Sequence, residues 1–310
     1  MKTYLNKPYK FPAPAKLNLF LHVVGQRNDG YHELETLFQF LDYSDTLEIT
    51  VTTSSDIVLL TPLEGVDNKD NLIVKAAKLL QEKFFQKNNN DKVPRLGAVI
   101  SIDKILPMGG GLGGGSSNAA TILVALNTLW QCNFSVEQLS ELGLGLGADV
   151  PIFIHGFAAF AQGVGEKLSP VQPEECWYLI SKPHCSISTA SVFTSSDLPR
   201  DTEKLGYNDF HKHYCDDDLF TGYQLNNGKY HNDCQTMVIK HYDKVANLLA
   251  WLIEYAPSRM TGTGACVFSS FPSKEAAVDL QAKLPKEIDS FIAKGLNKSS
   301  LLPIIEDLIR

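Results

Sequence analysis

From Ala15 the apolar residues take every second position. Leu17, Leu19 and Leu21 fall on one face, and Lys16, Asn18 and Phe20 on the other, which is the period of a strand. Lys16 and Asn18 then point the same way, and for Lys16 alone a solvated edge strand accounts better than a functional face does. Gly25-Gln-Arg-Asn-Asp-Gly30 reads as a hairpin turn, Tyr31 to Phe40 as the returning strand and Asp45 to Val51 as its continuation. Asp70 to Leu80 places apolar residues at 72, 73, 76, 79 and 80, an amphipathic helix. Gln86 to Arg95 is a polar, Asn-rich loop. Gly97 to Asp103 reads as a strand and Asn118 to Trp130 as a helix. Ser135-Val-Glu-Gln138 is a capping box that opens another helix. Ala148 to Ile154 is a strand-like apolar run behind a glycine turn, and Phe157 to Leu168 gives a strand and a Gly-x-Gly-Glu turn. Further on, the pattern predicts a strand at Trp177 to Ile180, a helix after Lys182, a helix over roughly Met237 to Tyr255, and a glycine turn into a strand at Met260 to Phe268. Residues 1–10 look like a leader, and residues 206–230 like an exposed acidic loop in which His211, His213, Cys215 and Asp216 to Asp218 have no standard metal-site spacing.

Between the strand at 97–103 and the helix at 118–130 lies Pro107-Met-Gly-Gly-Gly-Leu-Gly-Gly-Gly-Ser-Ser-Asn118, with six glycines in seven residues. Glycine allows φ > 0 and close approach of a ligand to the backbone. The first turn of a helix offers free N–H groups and the positive end of its dipole. Strand, glycine loop and helix together form an anion site, most simply for phosphate. A Walker A loop is excluded, because no Gly-Lys-Ser/Thr follows the glycines. Gly109, Gly111 and Gly114 satisfy G-x-G-x-x-G, but a dinucleotide unit also needs a second strand ending in an acidic residue ~20 positions on. That region here is helical or glycine-rich. A flexible linker is a poor fit, since linkers are not framed by a strand and a long helix.

Length and composition narrow the class. The 310 residues suffice for two domains, and 44% hydrophobic with 20% charged residues is an ordinary globular balance. A net charge of −7 and the lack of a basic run argue against a nucleic-acid partner. No apolar run of 18 residues and no signal core is present, so the expectation is a cytoplasmic protein with no membrane partner. The six cysteines are scattered, without a C-x-x-C pair, which predicts reduced, buried thiols and no metal framework.

The proline-led glycine loop closing on Ser116-Ser117 resembles the second motif of the GHMP kinases, which phosphorylate small alcohols. Met260-Thr-Gly-Thr-Gly-Ala-Cys-Val-Phe268 resembles their third motif. Ala15-Lys-Leu-Asn-Leu19, then Arg27-Asn-Asp-Gly-Tyr-His-Glu-Leu34, are similar to the opening of the branch whose acceptor is a cytidine-diphosphate-linked methylerythritol, in non-mevalonate isoprenoid synthesis. Gly147-Ala-Asp-Val-Pro-Ile-Phe153, Asp197-Leu-Pro-Arg200, Asn232-Asp-Cys-Gln235 and Phe291 to Asn297 also follow that branch.

The resemblance implies an α/β (α+β) two-domain GHMP kinase fold. Residues 1–168 would form an N-terminal ATP-binding domain and residues 169–310 a ferredoxin-like, substrate-binding C-terminal domain. It implies ATP and Mg²⁺, with no protein metal ligand assigned. Lys16 and Asp149 would be catalytic, although Asp149 alone reads equally well as a helix N-cap or turn residue. Pro107, Met108, Gly109, Gly110, Gly111, Leu112, Gly113, Gly114, Gly115, Ser116, Ser117 and Asn118 would hold ATP, with Asn71 near the adenine and Lys104 near the nucleotide. Asn18, Tyr31, His32, Phe193 and Gly264 would hold the acceptor, Phe193 stacking on the cytosine. A GHMP kinase for homoserine or mevalonate, and a nucleotide-binding module without turnover, are the alternative readings.

Overall fold

The computed structural model describes residues 4–63, 65–88, 96–216 and 228–310. Two long strands, β1 (Pro8–Gln26) and β2 (His32–Thr52), pair antiparallel from Pro8 opposite Thr50 to Gln26 opposite His32. The Asn28-Asp29-Gly30 turn closes this hairpin, with Gly30 at φ 89°. The expected solvated edge strand does not form. From Phe11 to Val23 every residue of β1 except half-buried Pro12 is buried, so the chain covers both of its faces. Register shifts fall between Pro14 and Lys16 and between Asn18 and Leu21. They bracket the two polar side chains, and bulges of this kind re-aim side chains beside sites.

After β3 (Ile57–Leu59) comes α1 (Leu72–Lys87), capped by Asn71, whose Oδ1 accepts from the Ile73 amide at 2.9 Å. Strand β4 (Gly97–Asp103) leads through the glycine loop into α2 (Gly114–Leu129). Helix α3 (Val136–Leu144) starts on the expected Ser135–Gln138 capping box, and α4 (Val150–His155) follows it. In sequence the segment 148–154 looks strand-like because Val150, Ile152 and Ile154 are β-branched. Its Pro151 sits in the first helical turn, where a missing N–H costs nothing, and Gly156 ends the helix at φ 72°. Strands β5 (Ala159–Gly163) and β6 (Lys167–Pro170) form a hairpin. The expected boundary at 168/169 falls within β6.

The second half continues with β7 (Trp177–Lys182), α5 (Thr189–Thr194) and α6 (Tyr207–Asp216). The expected loop at 206–230 is therefore helical over 207–216. The side chains of His213, Cys215 and Asp216, and residues 217–227 altogether, lie outside the described residues. The helix expected over Met237 to Tyr255 is two helices, α7 (Asp233–His241) and α8 (Asp243–Ile253). Between them Tyr242 takes an extended φ of −131°. The chain ends with β8 (Ser258–Met260), β9 (Val267–Phe271), α9 (Lys274–Gln281), β10 (Asp289–Leu296) and α10 (Leu301–Ile309).

Strand β2 is the spine. One edge carries β1, and the other takes β5, β10 and β4 in turn. Strand β10 also pairs with β7, so the sheet runs on through β7, β9 and β8. One core packs α1 to α4 against β1, β2 and β4, and a second packs α7, α8 and α9 against β7 and β9. A third, built on Phe20, Phe160, Tyr178, Phe210 and Phe268, lies between them. The tail returns to the first half: Leu301 joins the first core, and Tyr4 Oη donates to the Leu308 carbonyl at 2.9 Å. Residues 4–10 are thus part of the fold and not a leader.

Candidate functional site

The glycine loop crosses the top of the molecule between β4 and α2. Its backbone requires glycine at alternate positions: Gly109, Gly111 and Gly113 have φ of 62°, 74° and 71°. Gly110, between the first two, and Gly114, after the third, have little room for a side chain. A Cβ at Gly110 would lie 2.7 Å from Cys266 Sγ, and one at Gly114 would lie 3.2 Å from Lys104 Nζ. The loop is tied to the turn before β9, because the Ala265 amide donates to the Gly109 carbonyl (3.1 Å) and the Cys266 amide to the Gly110 carbonyl (3.3 Å). Burial pushes the Cys266 thiol up to about 12, so it is an inert neutral wedge under the loop. Helix α2 has Gly113 as its N-cap and no side-chain cap. Its first amides face an anion site with the helix dipole behind them.

Lys16 rises from β1 beneath this loop with its side chain 2% exposed. A buried ammonium needs compensation, and Lys16 has three partners. Nζ donates to Asn18 Oδ1 and to the Gly111 carbonyl (3.2 Å), and lies 3.3 Å from Asp149 Oδ2. Asp149 precedes α4 at the N-cap position, yet its carboxylate caps nothing. It is about one-third exposed and turns to Lys16 instead. Asn18 is fixed on all sides: its amide donates to Thr261 Oγ1 and its Nδ2 to Thr36 Oγ1, both at 2.9 Å.

These groups line one cleft of about 1040 Å³, at the upper limit of the roughly 300–1,000 Å³ usual for one small ligand. One end holds Asn71, Lys104 and the loop from Pro107 to Ser116. The other holds Tyr31, His32, Phe193 and Arg200, with Lys16, Asn18 and Asp149 also on the wall. The His32 and Phe193 rings are 5.1 Å apart at 35°, and Tyr31 is 61% exposed at the rim. Burial, and then the Arg200 guanidinium, hold the His32 imidazole below its usual pKa.

Some expected residues stand elsewhere. Gly264 lies behind the wall, against Met260 and Ile187, while Gly262 and Thr263 face the cleft. Ser117 is fully buried. Lys104 lines the cleft but also pairs with fully buried Asp45 at 2.7 Å and donates to the Leu106 carbonyl, and Asp45 accepts the Ile105 and Leu106 amides. It therefore anchors the entry to the loop. Asp45, Thr36 and Thr261 carry no signal in the sequence: the first two are ordinary polar residues within β2, and Thr261 follows the end of β8.

The donor set for a metal is sparse. Among the described residues no group of three or more His, Cys, Asp and Glu gathers as a cage. Ser116 and Asp149 are oxygen donors on the cleft wall, and buried Asn118 Oδ1 beside it has no hydrogen-bond partner among the described residues. This fits a magnesium ion that keeps several waters and rides on nucleotide phosphates.

The N-terminal domain of the GHMP kinases matches residues 71–157, and their C-terminal domain matches residues 223–289. The chain is 63% identical over 306 residues to a 4-diphosphocytidyl-2-C-methyl-D-erythritol kinase of Colwellia psychrerythraea strain 34H, covering 99% of this chain and 96% of that protein. It is 54% identical to the kinase of the same name from Pasteurella multocida strain Pm70, over 95% of this chain and 92% of that one. A crystal structure of a 4-(cytidine 5'-diphospho)-2C-methyl-D-erythritol kinase superposes with a TM-score of 0.74 at 26% identity, covering 93% of this chain and 99% of that one.

Proposed function

Since the chain belongs to the 4-diphosphocytidyl-2-C-methyl-D-erythritol kinases of the GHMP family, we propose that it transfers the γ-phosphoryl group of ATP to the 2-hydroxyl of 4-diphosphocytidyl-2-C-methyl-D-erythritol. The products are the 2-phosphate and ADP, in non-mevalonate isoprenoid precursor synthesis in the cytoplasm. The observation that carries the mechanism is the contact of Lys16 with Asp149 directly below the uncapped N-terminus of α2.

Phosphoryl transfer is mainly positioning and charge stabilisation. The amides of the loop and of the first turn of α2 receive the β- and γ-phosphates, with Ser116 beside them, and Asn71 borders the adenine. Magnesium, when bound, neutralises charge on the phosphate oxygens. The acceptor hydroxyl lies between Asn18, Lys16 and Asp149. As its oxygen bonds to the γ-phosphorus and the bond to the β,γ-bridging oxygen breaks, its proton passes to the Asp149 carboxylate. Lys16, 3.3 Å from that carboxylate, holds it in place and stabilises negative charge on the transferring group. Residues 1–168 act as the nucleotide unit, and residues 169–310 complete the acceptor side through Phe193.

An ATP-consumption assay with 4-diphosphocytidyl-2-C-methyl-D-erythritol, beside mevalonate and homoserine, tests the reading. Turnover on the cytidyl substrate alone is expected. Turnover on a control instead would overturn the acceptor, and no turnover with ATP still bound would overturn the activity. Phe193 is half-buried at the end of α5, its ring beside His32. Phe193→Ala is expected to raise KM for the cytidyl substrate about tenfold or more, the worth of ~1–3 kcal/mol for an aromatic stack on a base, with KM for ATP within about twofold. Equal rises in both constants would make Phe193 a packing residue.

A further inference from the structure

In the sequence Arg200 stands only as the last residue of Asp197-Leu-Pro-Arg200, with no role attached. In the structure it joins the two aromatic residues of the acceptor end. Its Nε donates to His32 Nε2 at 3.1 Å. Its other nitrogens donate to the carbonyls of Leu198 (2.9 Å), Ser195 (2.7 Å) and Phe193 (3.2 Å). One guanidinium therefore holds the C-terminal end of α5, which carries Phe193, and the ring of His32 at the start of β2.

The segment bearing Arg200 is itself pinned. Asp197 pairs with Lys240 (2.7 Å) and His241 (2.5 Å) on α7. Thr202 donates to Asp233 Oδ2 at 2.8 Å, and the Leu205 and Gly206 amides donate to the buried Glu35 carboxylate at 2.7 and 3.2 Å. Arg200 approaches His32 from a fixed base.

A guanidinium has five N–H donors and no acceptor. A histidine nitrogen that receives a bond from it must present a lone pair, so the ring proton of His32 resides on Nδ1. Resting on the kinase reading above, we propose that Arg200 is a positioning residue that selects the cytosine-bearing acceptor by fixing His32 as the neutral, Nδ1-protonated imidazole and holding Phe193 at its stacking distance. The chemistry suits cytosine. A fixed N–H donor matches a ring nitrogen that accepts, as cytosine N3 does, and meets another N–H at N3 of uracil. A site built on one donor rejects the mismatched partner because a buried polar group is left unpaired.

The sign of the pH effect follows. His32 is held below its usual pKa, so the neutral ring persists as pH falls below the ordinary histidine value. Binding is lost only when pH drops through the lowered pKa, where the protonated ring can no longer accept from Arg200 and the two cations repel. Removing Arg200 takes away the second cause of that shift and moves the acid limb upward.

The test uses the wild-type enzyme with R200M and R200K. Two-bond ¹H–¹⁵N correlation of ¹⁵N-histidine-labelled, substrate-free enzyme at pH 7 reads the tautomer, with the His32 signal assigned by its loss in H32N. The expected wild-type result is a protonated Nδ1 and a bare Nε2, and in both variants a mixed or reversed tautomer. KM for the cytidyl substrate is expected to rise at least tenfold in both variants, since lysine cannot span three carbonyls and a ring. KM for ATP should stay within twofold, and the acid limb of the KM profile should move up. A wild-type Nε2–H tautomer, or equal changes in the two KM values, would overturn the proposal. The tautomer is read without turnover, so a failure here is distinct from failure of the kinase reading, which shows as a wild-type enzyme inactive on the cytidyl substrate.

Discussion

Asp149→Asn is expected to lower kcat by about 10²–10⁴-fold, the usual worth of a positioned general base. Lys16→Met is expected to lower it by about 10²–10³-fold, the scale of one electrostatic donor at a transferring group. Both variants should still bind nucleotide within a few-fold of wild type, because the loop amides, Asn71 and Ser116 are untouched. The two differ in what they leave behind. The Asp149→Asn amide keeps the shape of the carboxylate and an oxygen for Lys16 to donate to, so the buried ammonium stays paired. The Lys16→Met change removes the charge and leaves Asp149, one-third exposed, to find water. Asp149→Asn leaves Lys16 hydrogen-bonded but without its counter-charge and should lower Tm, while circular dichroism should show folded protein in both cases. The expected division is therefore loss in kcat without loss in nucleotide affinity. The double variant should be no worse than the poorer single one, since residues that act as a unit are not additive. Turnover within about tenfold of wild type in both single variants would remove this pair from the mechanism.

The sequence carries the glycine loop openly, because the physical demand there is local. Positive φ at Gly109, Gly111 and Gly113 selects glycine whatever surrounds it, and the strand and helix on either side are set by their own periodicity. The meeting of Lys16 with Asp149 is of another kind. A lysine on a strand and an aspartate before a helix have no local requirement for one another, and only resemblance to a kinase family places them together. Burial reverses the local reading of β1. An alternating strand with Lys16 on it looks solvated until α2, α4 and the loop close over it.

The other differences between sequence and structure have similar causes. Val150, Ile152 and Ile154 have strand propensity but fold as a helix because tertiary packing in the first core overrides it. The break at Tyr242 leaves no mark because α7 and α8 both bury apolar faces on the same core, so the periodicity continues through it. Arg200 is illegible as a site residue for a simpler reason. Its partners are three backbone carbonyls and one ring nitrogen, and backbone acceptors have no letter in a sequence.

Gly111→Ala is expected to disrupt the glycine loop with a single methyl group. The Gly111 backbone stands at φ 74°, which for alanine costs roughly 1–2 kcal/mol. Its Cβ would lie 2.2 Å from the Thr261 carbonyl oxygen, 3.0 Å from the Thr261 carbonyl carbon and 3.3 Å from the Gly264 amide nitrogen. These are backbone atoms and cannot rotate away, so the loop must lift off the turn before β9. The Gly111 carbonyl accepts from Lys16, so lifting the loop also removes a partner of the buried Lys16 ammonium and shifts the first turn of α2. A displacement of about 1 Å at a phosphate-positioning loop costs on the order of 100-fold in rate. The expected result is a fall of at least that size in kcat/KM, with weaker ATP binding and a lowered Tm. Gly109→Ala separates strain from collision. Gly109 has a similar φ of 62°, but nothing lies within 4 Å of the place its Cβ would take. Gly109→Ala should therefore show only the conformational cost, as a modest loss of Tm with kcat/KM within about tenfold of wild type. If Gly111→Ala were no worse than Gly109→Ala in both measurements, close backbone packing between the loop and the 261–264 turn would not be what holds the phosphate site together.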